Sequence, residues 1–271
     1  MSHKCQSILR TSQGRRIADL VTVSVDLPHG HRIPAHFHPE DQLLFASQGV
    51  MTLETPQGTW VVPSLRAVWI PADTPHSVAI SGITHIRTLY ILPGLCRLPA
   101  RTCAVIHVSP LLRELILRAC AHSRLQRKIP VERRILECII DQIHAVESIP
   151  LQLPHVADPR AQRIVEALST NPADPRTLAA LCQACGASKR TIQRLFLEET
   201  RMTFNRWRQQ LRLLHALQLL ASGEKVTAVA LDSGYHSASS FIATFRKQLG
   251  ATPARYLSST STGKSPGPQA S

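Results

Sequence analysis

Leu178-Ala-Ala-Leu-Cys-Gln-Ala-Cys-Gly-Ala-Ser-Lys-Arg-Thr-Ile-Gln-Arg-Leu-Phe196 and Thr227-Ala-Val-Ala-Leu-Asp-Ser-Gly-Tyr-His-Ser-Ala-Ser-Ser-Phe-Ile-Ala-Thr-Phe-Arg246 set out the same device twice. Each begins as a short apolar helix, reaches a glycine (Gly186, Gly234), turns over two or three residues and restarts at a serine (Ser188, Ser237) suited to cap a second helix. Glycine is wanted there because a helix end commonly passes through the left-handed region, which a side chain with a Cβ resists. Four residues before each glycine stands a small side chain, Cys182 or Ala230, that lets two helices cross closely. This is helix-turn-helix anatomy, present in two copies.

The second helix of each copy buries one stripe and exposes another. In the first, Ile192, Leu195 and Phe196 fall on one face and Lys189, Arg190, Gln193 and Arg194 on the other. Arg paired with guanine and Gln with adenine are favoured contacts in the major groove of double-stranded DNA. In the second, Phe241, Phe245 and Leu249 are the buried stripe, and the outward Ala238, Ser239, Ser240 and Ala243 are small. Such a face approaches DNA closely but forms few base-specific bonds, leaving Arg246 and Lys247 for phosphates. The first helix is therefore expected to carry most direct readout and the second to position. Between the copies Thr203 caps a longer helix with the inner stripe Phe204, Trp207, Leu211, Leu214 and Leu217, ended at Ser222-Gly223. Its outer face is read as Arg206, Arg208 and Arg212, with Arg208 a phosphate contact. About eighteen residues at 1.5 Å each span roughly 27 Å, somewhat less than the roughly 34 Å of one DNA turn.

These residues carry a resemblance. Arg194-Leu-Phe, Trp207-Arg-Gln-Gln-Leu-Arg, Gly234-Tyr-His-Ser, Ser240-Phe-Ile-Ala-Thr-Phe-Arg and Gly250-Ala-Thr-Pro-Ala-Arg-Tyr make residues 160–256 resemble the DNA-binding domain of the AraC/XylS family. The resemblance implies a seven-helix domain with base contacts from both recognition helices. Where family members commonly read bases this chain has Arg190, Gln193 and Arg194, and its second helix departs toward small residues. Cys182-x-x-Cys185 has no second CxxC to complete a zinc set, so packing is the expected role of Cys182.

N-terminal to these units, Leu151–Pro159 holds two prolines and little pattern and is read as a linker. Before it, Leu111, Leu112, Leu115, Ile116 and Ala119, then Val131, Ile135, Ile139, Ile140 and Ile143, predict amphipathic helices over 110–123 and 131–148. From Ile17 to Leu92 short β runs alternate with turns such as Pro28-His-Gly and Pro56-Gln-Gly, the texture of a sandwich or barrel. The expected organisation is α+β and multidomain. A sensory β-barrel occupies 1–100, a helical connector and dimerisation segment 101–157, an all-α double helix-turn-helix domain 158–257, and a disordered Ser/Thr/Gly/Pro-rich tail 258–271.

Within the barrel, His36-Phe-His38 is followed by Gln42 and Gly49, and downstream by Pro71-x-Asp73-x-x-His76. Alternate strand residues share a face, so His36 and His38 can converge with His76. Three imidazoles, with Gln42 as a fourth ligand, suit a divalent first-row metal; the alternative is a metal-free pocket of hydrogen-bonded histidines. The spacing resembles the two motifs of the cupin barrel over roughly residues 17–92. Gln42 stands where cupin enzymes usually place glutamate, and Leu65 where glycine is expected. Neutral Gln holds a cation less strongly than a carboxylate and cannot act as a base, which disfavours catalysis.

The net charge of +13 is concentrated toward the C-terminus, where residues 158–271 carry about twice as many Lys and Arg as Asp and Glu. Such an excess favours a polyanionic partner. The start has no apolar core like that of a signal peptide, no stretch is apolar enough for a membrane span, and seven scattered cysteines are no disulfide framework. The reading is a cytoplasmic regulator that binds DNA and answers to a small-molecule or metal effector, with RNA polymerase and a second copy as further partners and no membrane. The competing readings are a metal-dependent cupin enzyme with an appended DNA-binding domain, and a membrane-surface protein, for which no basic amphipathic helix exists outside the helix-turn-helix units.

Overall fold

The computed structural model describes residues 3–64, 66–96, 102–144, 148–149 and 151–256. The expected tail at 258–271 and the cupin-motif position Leu65 lie outside them. The chain divides into two compact units, one from 1–55 and 62–150, the other from 56–61 and 151–257.

The first unit is β-rich. Its strands are β1 (His3–Lys4), β2 (Leu20–Leu27), β3 (Arg32–Phe37), β4 (Asp41–Thr55), β6 (Arg66–Ile70), β7 (His76–Ile91), β8 (Ala104–His107), β9 (Arg124–Leu125) and β10 (Ser148–Ile149); most of β5 (Gly58–Pro63) is assigned to the second unit. The sheet runs β1-β3-β7-β4-β6-β8-β10, and β2 pairs with both β7 and β9. The runs around Gln42 and Val50 that read as separate strands are one strand, β4. It pairs antiparallel with β7 from Asp41↔Ile91 to Glu54↔Ser77, with register shifts between Ala46 and Val50. Extra residues at those bulges break the alternation that a continuous strand would show.

Two helices complete this unit, α1 (Pro110–His122) and α2 (Pro130–His144). They are not a free-standing connector. Leu112, Ile116 and Ala119 of α1 and Leu136, Ile139 and Ile143 of α2 join one buried cluster with Leu43, Phe45, Trp69 and Leu89 of the sheet. The face differs from the one read in sequence, since Leu111 and Val131 are exposed. The second helix also stops earlier than expected, and Ser148–Ile149 pair with Val105–Ile106 of β8.

The second unit carries α3 (Pro159–Thr170), α4 (Leu178–Cys185), α5 (Lys189–Thr200), α6 (Phe204–Ala221), α7 (Val226–Asp232) and α8 (Ala238–Leu249), with a last helical turn over 253–256. The segment read as a linker is ordered. Gln152–Pro154 forms β11, antiparallel to residues 58–60 of β5, and Leu151, Leu153 and Val156 are buried. The Trp207 indole N–H donates to the Pro154 carbonyl at 3.1 Å and anchors this strand. A three-residue strand whose partner lies some ninety positions away leaves no local pattern to read.

Each helix-turn-helix copy has its own aromatic cluster. Phe196 stands edge-on to Phe204 and Trp207 at 5.2 and 5.3 Å, and Phe245 packs against Phe241 and Tyr256 at 5.5 Å. Edge-to-face pairs at these separations add specific geometry to the apolar burial.

Candidate nucleic-acid interface and histidine site

The two copies end their first helices with the same hydrogen bonds. In the first, the N–H of Ala187 reaches the Cys182 carbonyl at 3.1 Å and that of Gly186 the Gln183 carbonyl at 3.4 Å. In the second, Tyr235 reaches Ala230 at 2.9 Å and Gly234 reaches Leu231 at 2.8 Å. This is the Schellman arrangement, which needs a left-handed residue, and Gly186 and Gly234 have φ of 69° and 77°. The carbonyls that accept belong to the small residues Cys182 and Ala230. Cys182 and Cys185 are buried free thiols, and the Cys185 thiol donates to the Cys182 carbonyl.

Ser188 and Ser237 cap the recognition helices, accepting from the backbone N–H of Thr191 and Ser240 at 3.1 and 3.2 Å. On α5, Ile192, Leu195 and Phe196 are buried while Lys189, Arg190, Gln193 and Arg194 are exposed. The Arg194 guanidinium donates to Glu198 at 2.7 Å with both side chains more than half exposed. Such a pair is worth under about 1 kcal/mol and yields readily to a better acceptor. On α8, Phe241, Phe245 and Leu249 are buried, while Ser239, Ala243, Arg246 and Lys247 are exposed and Ala238 half-buried.

The connector departs from expectation. The helix α6 buries Gln210, Leu213, Ala216 and Leu220 in addition to its anticipated stripe, so it is covered on two sides. Arg206 is exposed, but Arg208 and Arg212 are half-buried and turned into the protein. Arg208 donates to the carbonyls of Arg176, at 2.7 Å, and of Asp174. Arg212 donates to Pro172 at 3.0 Å and to Asp174 at 3.2 Å. Burial, and then the neighbouring Arg212, hold the Arg208 pKa below the usual guanidinium range. The outward position read for Arg208 is not the one the structure shows: its two Nη groups donate to backbone carbonyls and its buried Nε has no hydrogen-bond partner. The loop Asn171-Pro-Ala-Asp-Pro-Arg supplies the reason, because it lies outside any helix and its carbonyls lack intrahelical donors.

In the first unit His36 and His76 are direct cross-strand partners on β3 and β7. His38 follows the end of β3, and its carbonyl accepts the N–H of Asp73 at 2.8 Å, clipping the turn before His76 onto the segment. Asp73 takes φ of 57° to do so. One ligand nitrogen from each of the three rings lies within 4.8 Å of the other two. Each Nδ1 sits on a backbone carbonyl: His36 on Pro34 at 2.8 Å, His38 on Glu40 at 2.9 Å and His76 on Thr74 at 2.8 Å. These contacts leave the Nε2 atoms as the ring nitrogens not held by backbone carbonyls. Burial pushes the His76 pKa down to about 4, and the facing His36 and His38 rings push the same way, so this ring is neutral at pH 7. Gln42, also buried, lies 3.1 Å from His38 Nε2 and 3.0 Å from the Thr88 hydroxyl.

Sequence reasoning missed two neighbours. Glu40 is 2% exposed; one carboxylate oxygen accepts from the Ser7 hydroxyl, and the other has no hydrogen-bond partner and lies 4.0 Å from His38 Nδ1. The Tyr90 ring stands edge-on to His38 at 5.1 Å, and burial lifts its hydroxyl pKa to about 12. The acidic run after His38-Pro was the available signal for Glu40; nothing local marks Tyr90.

Two paired recognition helices and a β-rich unit with a buried polar cluster define a class, the DNA-binding transcription regulators with an N-terminal ligand-binding domain. Comparison with known proteins gives the family. Residues 22–204 match the AraC-like ligand binding domain and residues 181–259 a helix-turn-helix domain. Over 229 residues the chain is 35% identical to the HTH-type transcriptional regulator NimR of Escherichia coli (strain K12), with 84% of each chain covered. It is 36% identical over 111 residues to the HTH-type transcriptional regulator RipA of Corynebacterium glutamicum, covering 41% of this chain and 32% of RipA. Among solved structures, the DNA-binding domain of AdpA in complex with a target DNA is 30% identical, covering 38% of this chain and 92% of that one, with a TM-score of 0.35. The chain belongs to the AraC family of transcription regulators. It is a DNA-binding transcription regulator with an N-terminal ligand-binding domain, the reading favoured over a cupin enzyme with an appended DNA-binding domain. No helix among the described residues is long and apolar enough to cross a membrane.

Proposed function

We propose that this regulator reads its operator mainly through Lys189, Arg190, Gln193 and Arg194 of α5, with the N-terminal ends Ser188 and Ser237, the small face Ala238, Ser239 and Ala243, and Arg246 and Lys247 of α8 docking against the backbone. The exposure of the α5 cations and amide opposite a fully buried stripe supports this division.

In the same reading the β-rich unit answers to an effector held at His36, His38 and His76, and effector occupancy shifts DNA affinity through its differential affinity for two states. The carrying observation is the set of three imidazoles whose Nδ1 atoms are all tied to carbonyls. That is the outer-shell pattern that orients histidine ligands toward a metal. Imidazole nitrogens with the Gln42 amide oxygen suit a divalent first-row cation rather than calcium or magnesium, and the unpartnered Glu40 oxygen lies behind His38. The bound ion would supply charge and an open coordination position to a small anionic or neutral ligand. The protein acts in the cytoplasm, as a homodimer and with RNA polymerase as its downstream partner.

The test is operator affinity of the full chain with zinc, nickel, manganese or no metal, in wild type and His38→Ala. A metal-dependent change in affinity that His38→Ala abolishes supports the reading. Metal-free wild type with unchanged operator affinity on adding each ion overturns the metal half and leaves a small molecule as effector.

A further inference from the structure

Arg208 and Arg212 are one helical turn apart on α6, and their guanidinium groups meet on one short loop. Between them they cap three alternate acceptors, the carbonyls of Pro172, Asp174 and Arg176, with Asp174 receiving a donor from each. This loop leads directly into Thr177, the N-cap of α4, and so sets where the first helix-turn-helix unit begins. The loop is itself stiffened, because the buried Asp174 carboxylate takes the Arg176 guanidinium at 2.6 to 3.1 Å.

The turn of the second unit rests on the same place. A Cβ built on Gly234 would lie 2.7 Å from Arg212 Nη2, 2.8 Å from Arg212 Cζ and 2.9 Å from the Ala173 backbone. Gly186, the equivalent glycine of the first unit, has nothing within 4 Å. The loop before the first unit, the connector and the turn of the second unit thus touch at a single cationic junction. A planar guanidinium bridges two acceptors at once, which a lysine ammonium on a flexible stem does not do in a fixed plane.

We infer that Arg208 and Arg212 are positioning residues, a brace that fixes the two helix-turn-helix units at one mutual spacing and rotation, so that the protein discriminates operators by the separation of their two major-groove contacts. Neither side chain touches bases or phosphates in this role. The inference rests on both recognition helices engaging DNA.

The experiment starts from operator sites selected out of random DNA by the full-length wild-type protein. One base pair is then added or removed between the two groove contacts, which rotates one against the other by about 35°. Wild type is expected to lose on the order of tenfold in affinity on the altered sites. Arg208→Gln and Arg212→Gln should bind the selected site less well but lose less than about threefold on respacing, with the salt dependence of binding unchanged. Arg208→Lys and Arg212→Lys retain the charge and the aliphatic stem, and carry the test if the Gln variants do not fold. Wild-type discrimination retained in all variants overturns the brace, as does a salt slope reduced by about one contact in Arg208→Gln, the mark of a lost phosphate partner. Wild-type indifference to spacing overturns the two-groove reading itself.

Discussion

Gly234→Ala and Gly186→Ala make the same chemical change at the same position of the two helix-turn-helix units, yet the structure assigns them different costs. Both glycines are left-handed, with φ of 77° and 69°, and alanine there costs about 1–2 kcal/mol in either copy. At Gly186 the added methyl enters open space, and that backbone term is the whole effect. At Gly234 it lies 2.7–2.9 Å from the Arg212 guanidinium and the Ala173 backbone, about 1 Å inside ordinary contact. Arg212 must then move and weaken its bonds to Pro172 and Asp174. Hydrogen bonds from a charged donor are worth about 1.5–3 kcal/mol each, and a half-exposed guanidinium recovers part of that from water, so roughly 2 kcal/mol more is lost. The expected totals are about 3–4 kcal/mol for Gly234→Ala against about 1–2 for Gly186→Ala. For a unit of about a hundred residues 1 kcal/mol moves the midpoint by about 4–8 °C, so the two variants should melt roughly 10 °C apart. Circular dichroism melts of the full chain, following the transition of the helical unit, measure this. Equal shifts for the two variants would refute the crowding at Gly234 and the junction built on it.

Three further outcomes follow from the sites. Gln193→Ala and Arg194→Ala should each cost on the order of 1–3 kcal/mol on the selected operator and change base preference at one position; equal losses on random DNA would contradict base readout. Zinc should raise the melting temperature of the β-rich unit in wild type and leave His36→Ala and His38→Ala unmoved, since ligand bound only to the folded state stabilises it; an equal shift in the variants places the metal elsewhere. Burial lowers the His215 pKa below its unfolded value of about 6.5 despite the opposing charge of Asp232. Below that pH the unfolded chain binds more protons, so stability of the helical unit is full above about pH 6.5 and falls as the medium is acidified. His215→Gln should flatten that dependence between pH 7 and 5, and an unchanged slope would count against it.

The helix-turn-helix units were legible because their determinants are local: a glycine at a Schellman end, a serine cap and a three- to four-residue stripe all lie within twenty positions. The histidine cluster was legible for a related reason, since strand alternation and one downstream motif bring His36, His38 and His76 together. What escaped was non-local. Arg208 and Arg212 read as solvated because α6 was assigned a single buried stripe, whereas it is covered on two sides and its arginines serve the carbonyls of a loop some thirty-five residues earlier. The segment Leu151–Pro159 read as a linker because β11 has its partner at Gly58–Trp60. The helices α1 and α2 were found, but which apolar residues turn inward depended on the sheet surface they cover, so Leu112 and Leu136 are buried while Leu111 and Val131 are not.

Two recognition helices of unequal reading power should leave an unequal mark on the sites this regulator selects. Selection of binding sites from random DNA by the full-length protein, scored as sequence information at each base pair, measures that inequality. Two contact regions about one helical turn apart are expected, with strong base preference at the one served by Lys189–Arg194 and weak preference at the one served by Ala238–Lys247. Equal information in both regions, or a single region, would contradict it.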